Sequence, residues 1–128
     1  MQSKENPSVI WVGPQRGEAF RRLATELDRK GLHLAVCESV ADLAGTLESR
    51  SRAVLVVPDC SECAALADTA LEALESLYRS VPVVILAEAP AFGRYYDLMR
   101  RGVRHYYELS ESPERIADAV RYTAAHAA

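Results

Sequence analysis

No apolar run in this 128-residue chain exceeds the length of a strand. A helix needs about 20 consecutive apolar residues to cross a bilayer, so no membrane contact is expected. The opening MQSKENPS lacks the apolar segment of a secretory signal, and a soluble, cytoplasmic protein is expected. Cysteine is scarce: three residues, an odd number, cannot form a disulfide framework. Charge of one sign is also lacking. Fifteen Lys and Arg against eighteen Asp and Glu give −3, which argues against direct nucleic-acid contact. There is no G-x-x-x-x-G-K-[ST], no G-x-G-x-x-G and no G-x-S-x-G, so phosphate-loop, dinucleotide and serine-hydrolase chemistry lose their usual signatures.

What is present is one rhythm. Apolar residues make up 49% of the chain, enough for one core in one domain. VIWVG (Val9 to Gly13) reads as a strand buried on both faces. A helix is expected over Gly17 to Lys30, with Ala19, Phe20, Leu23, Ala24 and Leu27 at helical spacing and Gly31 as its stop. LHLAVCES is a second, weaker strand. Ser39 stands three residues before Asp42 in a capping-box pattern, ahead of Val40, Leu43, Ala44 and Leu47. AVLVV (Ala53 to Val57) is a third strand, followed by one long helix from Ser61 to Arg79. PVVILA (Pro82 to Ala87), a helix over Ala91 to Arg101, the more polar strand VRHYYEL and a helix with Ser112 as N-cap and Pro113 at its first position complete the chain. Residues 1–8 are expected to fray and 9–125 to form the domain. Five strands alternating with five helices imply a parallel sheet covered on both faces, with function at the carboxyl ends of the strands.

Order and spacing from Val9 to Ala124 resemble the receiver domain of bacterial response regulators (CheY-like). PVVILAEAPA is similar to that family's fourth strand and following loop. RRGVRHYYEL resembles its GA-x-x-Y entry into strand five, with Gly102 and Tyr106 matching. The resemblance implies a flavodoxin-like (βα)5 three-layer sandwich with strand order 2-1-3-4-5. It also implies a phosphorylated Asp, an acidic pair holding Mg²⁺, a hydroxyl and a lysine. The corresponding positions here are Val57 at the counted end of strand three, Gly13 and Pro14 after strand one, Ala87 after strand four, and Leu109, followed by Ser110, after strand five. None supplies the needed group, and Mg²⁺ binding is not expected. Asp59 is a phosphoacceptor candidate. Its plainer reading is a turn residue after Pro58 that caps the next helix.

Cys60-Ser61-Glu62-Cys63 invites a thiol–disulfide reading, because a helix N-terminus favours thiolate. Two small apolar residues at a helix start is the plainer alternative. Cys37, Cys60 and Cys63 with His33 or His105 could supply four zinc ligands, but the fold would separate them. No metal site is assigned, and His33, His105 and His126 are read as surface residues. Arg16 could meet an anion at the first helix, or simply be solvated. The remaining candidate is a contact face on helix four, strand five and helix five. There Tyr95, Arg100, Arg104 and Tyr106 are the chosen anchors, and Phe92, Tyr96 and Met99 are expected to pack inward. The resulting expectation is a pseudoreceiver of bacterial signal transduction or transcription control. It would be non-enzymatic and would bind a protein partner or a second copy of itself. The alternatives are a redox module using Cys60 and Cys63, and a receiver phosphorylated unconventionally at Asp59.

Overall fold

The computed structural model describes residues 8–126 except 16, 50, 51, 64, 78 and 79, with the side chain of residue 62 also excepted. The strands are β1 (Ser8–Val12), β2 (His33–Cys37), β3 (Ala53–Asp59), β4 (Val83–Ala87) and β5 (His105–Glu108). The helices are α1 (Glu18–Arg29), α2 (Leu43–Glu48), α3 (Leu66–Ser76), α4 (Phe92–Arg100) and α5 (Pro113–Ala125). All pairings are parallel, in the order β2-β1-β3-β4-β5. This is the expected flavodoxin-like arrangement.

Alternation along the central strands builds two cores. Val9, Trp11, Val54, Val56, Val84 and Leu86 face α1 and α5, meeting Leu23, Leu27, Ile116 and Val120. Ile10, Val12, Leu55, Val57 and Ile85 face the other helices, meeting Leu43, Leu47, Ala70, Leu74 and Leu98. Each fully buried Leu or Ile contributes about 1.5–3 kcal/mol of transfer free energy, so the sheet is held from both sides. No helix among the described residues is long and apolar enough to cross a membrane.

Several expectations need correction. Ser8 is already part of β1 and buried, so the strand starts one residue early. The expected capping box at Ser39 does not form. Its hydroxyl instead donates to the Asp42 carboxylate at 3.1 Å, and a 3-10 turn over Val40–Asp42 precedes α2. His105 is half-buried, stacked on Tyr107. The frayed ends expected at 1–7 and beyond 126, Arg16, and the helix end expected at Arg79 lie outside the described residues.

Two corrections matter for function. β3 does not stop at Val57 but runs on through Pro58 to Asp59. Odd residues of β3 bond toward β4: Leu55 N–H donates to Pro82 O, and Asp59 O accepts from Glu88 N–H. Even residues therefore point to β1, which ends at Val12. The register makes Val12 O the acceptor that an N–H at position 58 would reach, so Pro58 costs the β1–β3 ladder its last bond. The second correction is that no α-helix begins at Ser61. Ser61–Cys63 is a 3-10 turn. Ala65 then takes a left-handed φ of 65°, unfavourable by about 1–2 kcal/mol for a residue with a Cβ, and α3 starts only at Leu66.

Candidate functional site

Asp59 inherits its direction from β3. Residues 55, 57 and 59 face the same side, toward α3 and α4. There the Asp59 carboxylate meets Arg94, which sits in the first turn of α4. Arg94 Nε donates to Asp59 Oδ2 at 3.0 Å and Nη2 donates to Oδ1 at 3.2 Å. The same guanidinium donates from Nη1 and Nη2 to both oxygens of Asp68 in α3, each at 3.1 Å. Arg101 Nη1 adds a 2.6 Å bond to Asp68 Oδ1 and lies 3.8 Å from Asp97. One planar fork thus serves two carboxylates, a geometry lysine cannot reproduce. Hydrogen bonds to Asp59 first, then to Asp68, hold Arg94 even more firmly protonated than usual. Those from Arg94 chiefly, with Arg101 helping, hold the Asp68 carboxyl below the ordinary carboxylate range against a modest burial penalty. Asp59 is neither a turn residue nor a helix cap.

The neighbouring corner is apolar. Gly13 holds φ at 135°, and a Cβ there would lie 3.1 Å from Leu66 Cδ2 and 3.4 Å from Pro58 Cγ. Ala87 is buried and pairs with Asp59 in register. Leu109 N–H donates to Ala87 O at 2.7 Å. The Trp11 indole donates to Pro14 O at 3.0 Å and stands edge-on to Phe20. A cleft of about 290 Å³ opens here, walled by Trp11, Pro14, Phe20, Pro58 and Leu109, with Glu18 and Glu88 also lining it. Asp59 is not among its lining residues. These residues do not fit a Mg²⁺ ion: Gly13 and Pro14 offer no carboxylate, and both Asp59 oxygens are taken by Arg94. Among the described residues no three His, Cys, Asp or Glu side chains come together as metal ligands.

Cys60 and Cys63 border the same cleft, with their sulfurs 3.0 Å apart. They lie before Ala65 and therefore outside the first turn of α3, so the helix-dipole argument for a thiolate does not apply to them. Between them, Ser61 donates its backbone N–H (3.1 Å) and, more weakly, its hydroxyl (3.4 Å) to Glu88 Oε1. Cys37, on β2, is buried, and that burial above all pushes its thiol pKa up.

On α4 the helical phase differs from expectation. Leu98 is the fully buried residue, with Arg94 half-buried on the same row; Met99 packs against the core as expected, and Phe92 and Tyr96 do not. Met99 is partly buried, but Phe92 is 80% and Tyr96 57% exposed. Their rings stack at 6.3 Å, and Arg100 lies 5.7 Å over Tyr96. Tyr95 is less free: it stands edge-on to Tyr106 at 5.5 Å. Tyr106 packs against the α4-side core, its hydroxyl 3.5 Å from the Ala91 N–H. Arg104 is exposed and, with Arg100 and Arg101, lines a separate hollow at the amino ends of β4 and β5. Arg94 and Asp68 are the residues that sequence reasoning missed. The available signal was an arginine four positions before Leu98, on the one row that α4 buries.

Sheet order and helix placement define a flavodoxin-like fold. The chain has the fold of response regulator receiver domains. An atypical orphan response regulator, described as having a phosphorylation-independent regulatory mechanism, superposes with a TM-score of 0.72 at 15% identity, over 93% of this chain and 96% of that one. HP1043, an orphan response regulator of H. pylori, gives 0.71 at 13% identity over 93% and 98%. The signal receiver domain of an HD domain-containing protein from Pseudomonas fluorescens gives 0.75 at 16% identity over 95% and 97%. At these identities the likeness is one of fold. No protein-family model and no curated protein matches the chain in sequence.

Proposed function

We propose that this chain is a pseudoreceiver: a protein-interaction module of bacterial signal transduction or transcription control that works without phosphoryl transfer. The observation that carries this reading is the double grip of Arg94 on Asp59. Phosphoryl transfer to a carboxylate needs a free oxygen nucleophile, a metal and a positioned cation. Asp59 does end β3, where an acceptor would be wanted, but both its oxygens are committed. Around it Gly13 and Pro14 carry no carboxylate, Ala87 no hydroxyl and Leu109 no charge. The orphan regulator with a phosphorylation-independent mechanism supports the same reading by its shared fold.

With the chemistry removed, function passes to surface contacts. The face of α4, β5 and α5 offers Phe92, Tyr95 and Tyr96 beside Arg100 and Arg104, a composition typical of interface anchors. Its partner is a protein or a second copy of this chain, in the cytoplasm. The test is incubation with acetyl phosphate and Mg²⁺ followed by intact mass. No adduct is expected. A gain of about 80 Da, one phosphoryl group, that disappears in Asp59→Asn would overturn the proposal.

A further inference from the structure

The geometry points to Cys60 and Cys63 as a reversible dithiol–disulfide pair, a site of covalent modification on this module. Their sulfurs are in direct contact at 3.0 Å, while a disulfide bond is about 2.05 Å long. Closing the remaining ~1 Å asks for small side-chain rotations in a short 3-10 turn, not for a shift of the sheet. Access is asymmetric: Cys60 is partly exposed and Cys63 is 8% exposed. Both border the 290 Å³ cleft, whose apolar walls admit a small molecule and whose Glu18 and Glu88 carboxylates favour a neutral or cationic one. The chemical class assigned is a low-molecular-weight disulfide. Pro82 stands at the amino end of β4, far along the sheet from the cysteines, and Pro90 is exposed in the loop before α4. Neither faces the pair as a substrate-holding proline would, so a modification site fits better than a thioredoxin-like enzyme.

The step balances as two exchanges. The Cys60 thiolate, having given its proton to solvent, attacks one sulfur of the disulfide; the new S–S bond forms as the old one breaks. The departing thiolate takes up a proton. Cys63, losing its own proton, then attacks Cys60 Sγ in the mixed disulfide and expels the second thiolate, which is protonated in turn. Two electrons pass from the cysteine pair to the oxidant. Ser61, inside the closed ring, is bonded to Glu88, so the modified turn is tied directly to the loop that leads into α4.

This assignment does not depend on the phosphorylation-free reading, and its test leaves Asp59 untouched. The full chain, fully reduced, is treated with graded ratios of cystamine to cysteamine, alkylated and weighed intact. The expected product is a chain about 2 Da lighter that carries one alkyl group instead of three, reverts on reduction, and retains Cys37 as its one alkylatable thiol after unfolding. Cys37→Ser should behave as wild type apart from that thiol. Cys63→Ser should instead accumulate a cysteamine adduct on Cys60 of about 75 Da. The wild-type measurement needs no variant, so a substitution that fails to fold leaves the test intact. Three alkylatable thiols at every ratio, a stable Cys60 adduct in the wild type, or a mass loss that requires Cys37 would each overturn the assignment.

Discussion

Arg94→Met removes one charge and keeps most of the side-chain volume, leaving Asp59 without its cation and Asp68 with Arg101 alone. Side-chain exposures are 28% for Arg94, 17% for Asp59 and 34% for Asp68. Stripping one partner from a fully buried ion pair costs about 3–5 kcal/mol, and an exposed pair is worth about 0–1 kcal/mol. These exposures fall between the limits, so the expected loss is about 2 kcal/mol, a fall in Tm of roughly 6–8 °C for a domain of this size. Adding Asp59→Asn should restore part of the loss, because an amide replaces an uncompensated carboxylate. Acid provides a second readout. Asp68 is held below its ordinary range, so its contribution is present above the unfolded value of about 3.9. That contribution disappears as the pH falls through the lower folded value. Wild type and Arg94→Met should therefore differ most near pH 7 and converge below about pH 4. Urea unfolding midpoints at pH 7, 5, 4 and 3 measure this. A pH 7 difference under about 0.5 kcal/mol, or a gap that stays constant into acid, would refute the clamp as an energetic device.

Phe92→Ala with Tyr96→Ala should leave stability within about ±0.5 kcal/mol. The same pair should weaken self-association or partner capture by about 1–4 kcal/mol, read by analytical ultracentrifugation or pull-down against thermal melting. Tyr95→Ala should lower Tm as well, because Tyr95 packs against Tyr106. Gly13→Ala should cost about 1–3 kcal/mol, since φ is 135° and the new methyl meets Leu66 and Pro58; an unchanged melting curve would contradict the close approach. Ser112→Ala should cost about 1 kcal/mol by removing the hydroxyl that accepts from the Arg115 N–H at the start of α5.

Apolar runs of strand length, amphipathic helical stretches between them and glycines at their ends determined the fold class from the sequence alone. These signals are local: a central strand such as Val54–Val57 is apolar on both faces wherever it is read, and short crossovers leave few topologies. The residue types at the carboxyl-end corner were legible too, because Gly13, Pro14, Ala87 and Leu109 carry no carboxylate, hydroxyl or amine side chain whatever surrounds them. Three things were not legible. The end of β3 depended on β4, whose pairing through Asp59 and Ala87 carries the strand past Pro58 and turns Asp59 toward α4. The phase of α4 depended on Arg94 finding two carboxylates from other elements. Fully buried Leu98 shares that row with Arg94, and Phe92 and Tyr96 are left in solvent despite their hydrophobicity. The contact between Cys60 and Cys63 depended on a 3-10 turn and a left-handed Ala65 in place of the first turn of a helix. Each of these is settled by partners distant in the chain or by a local bend that composition does not announce, and only the folded structure brings them together.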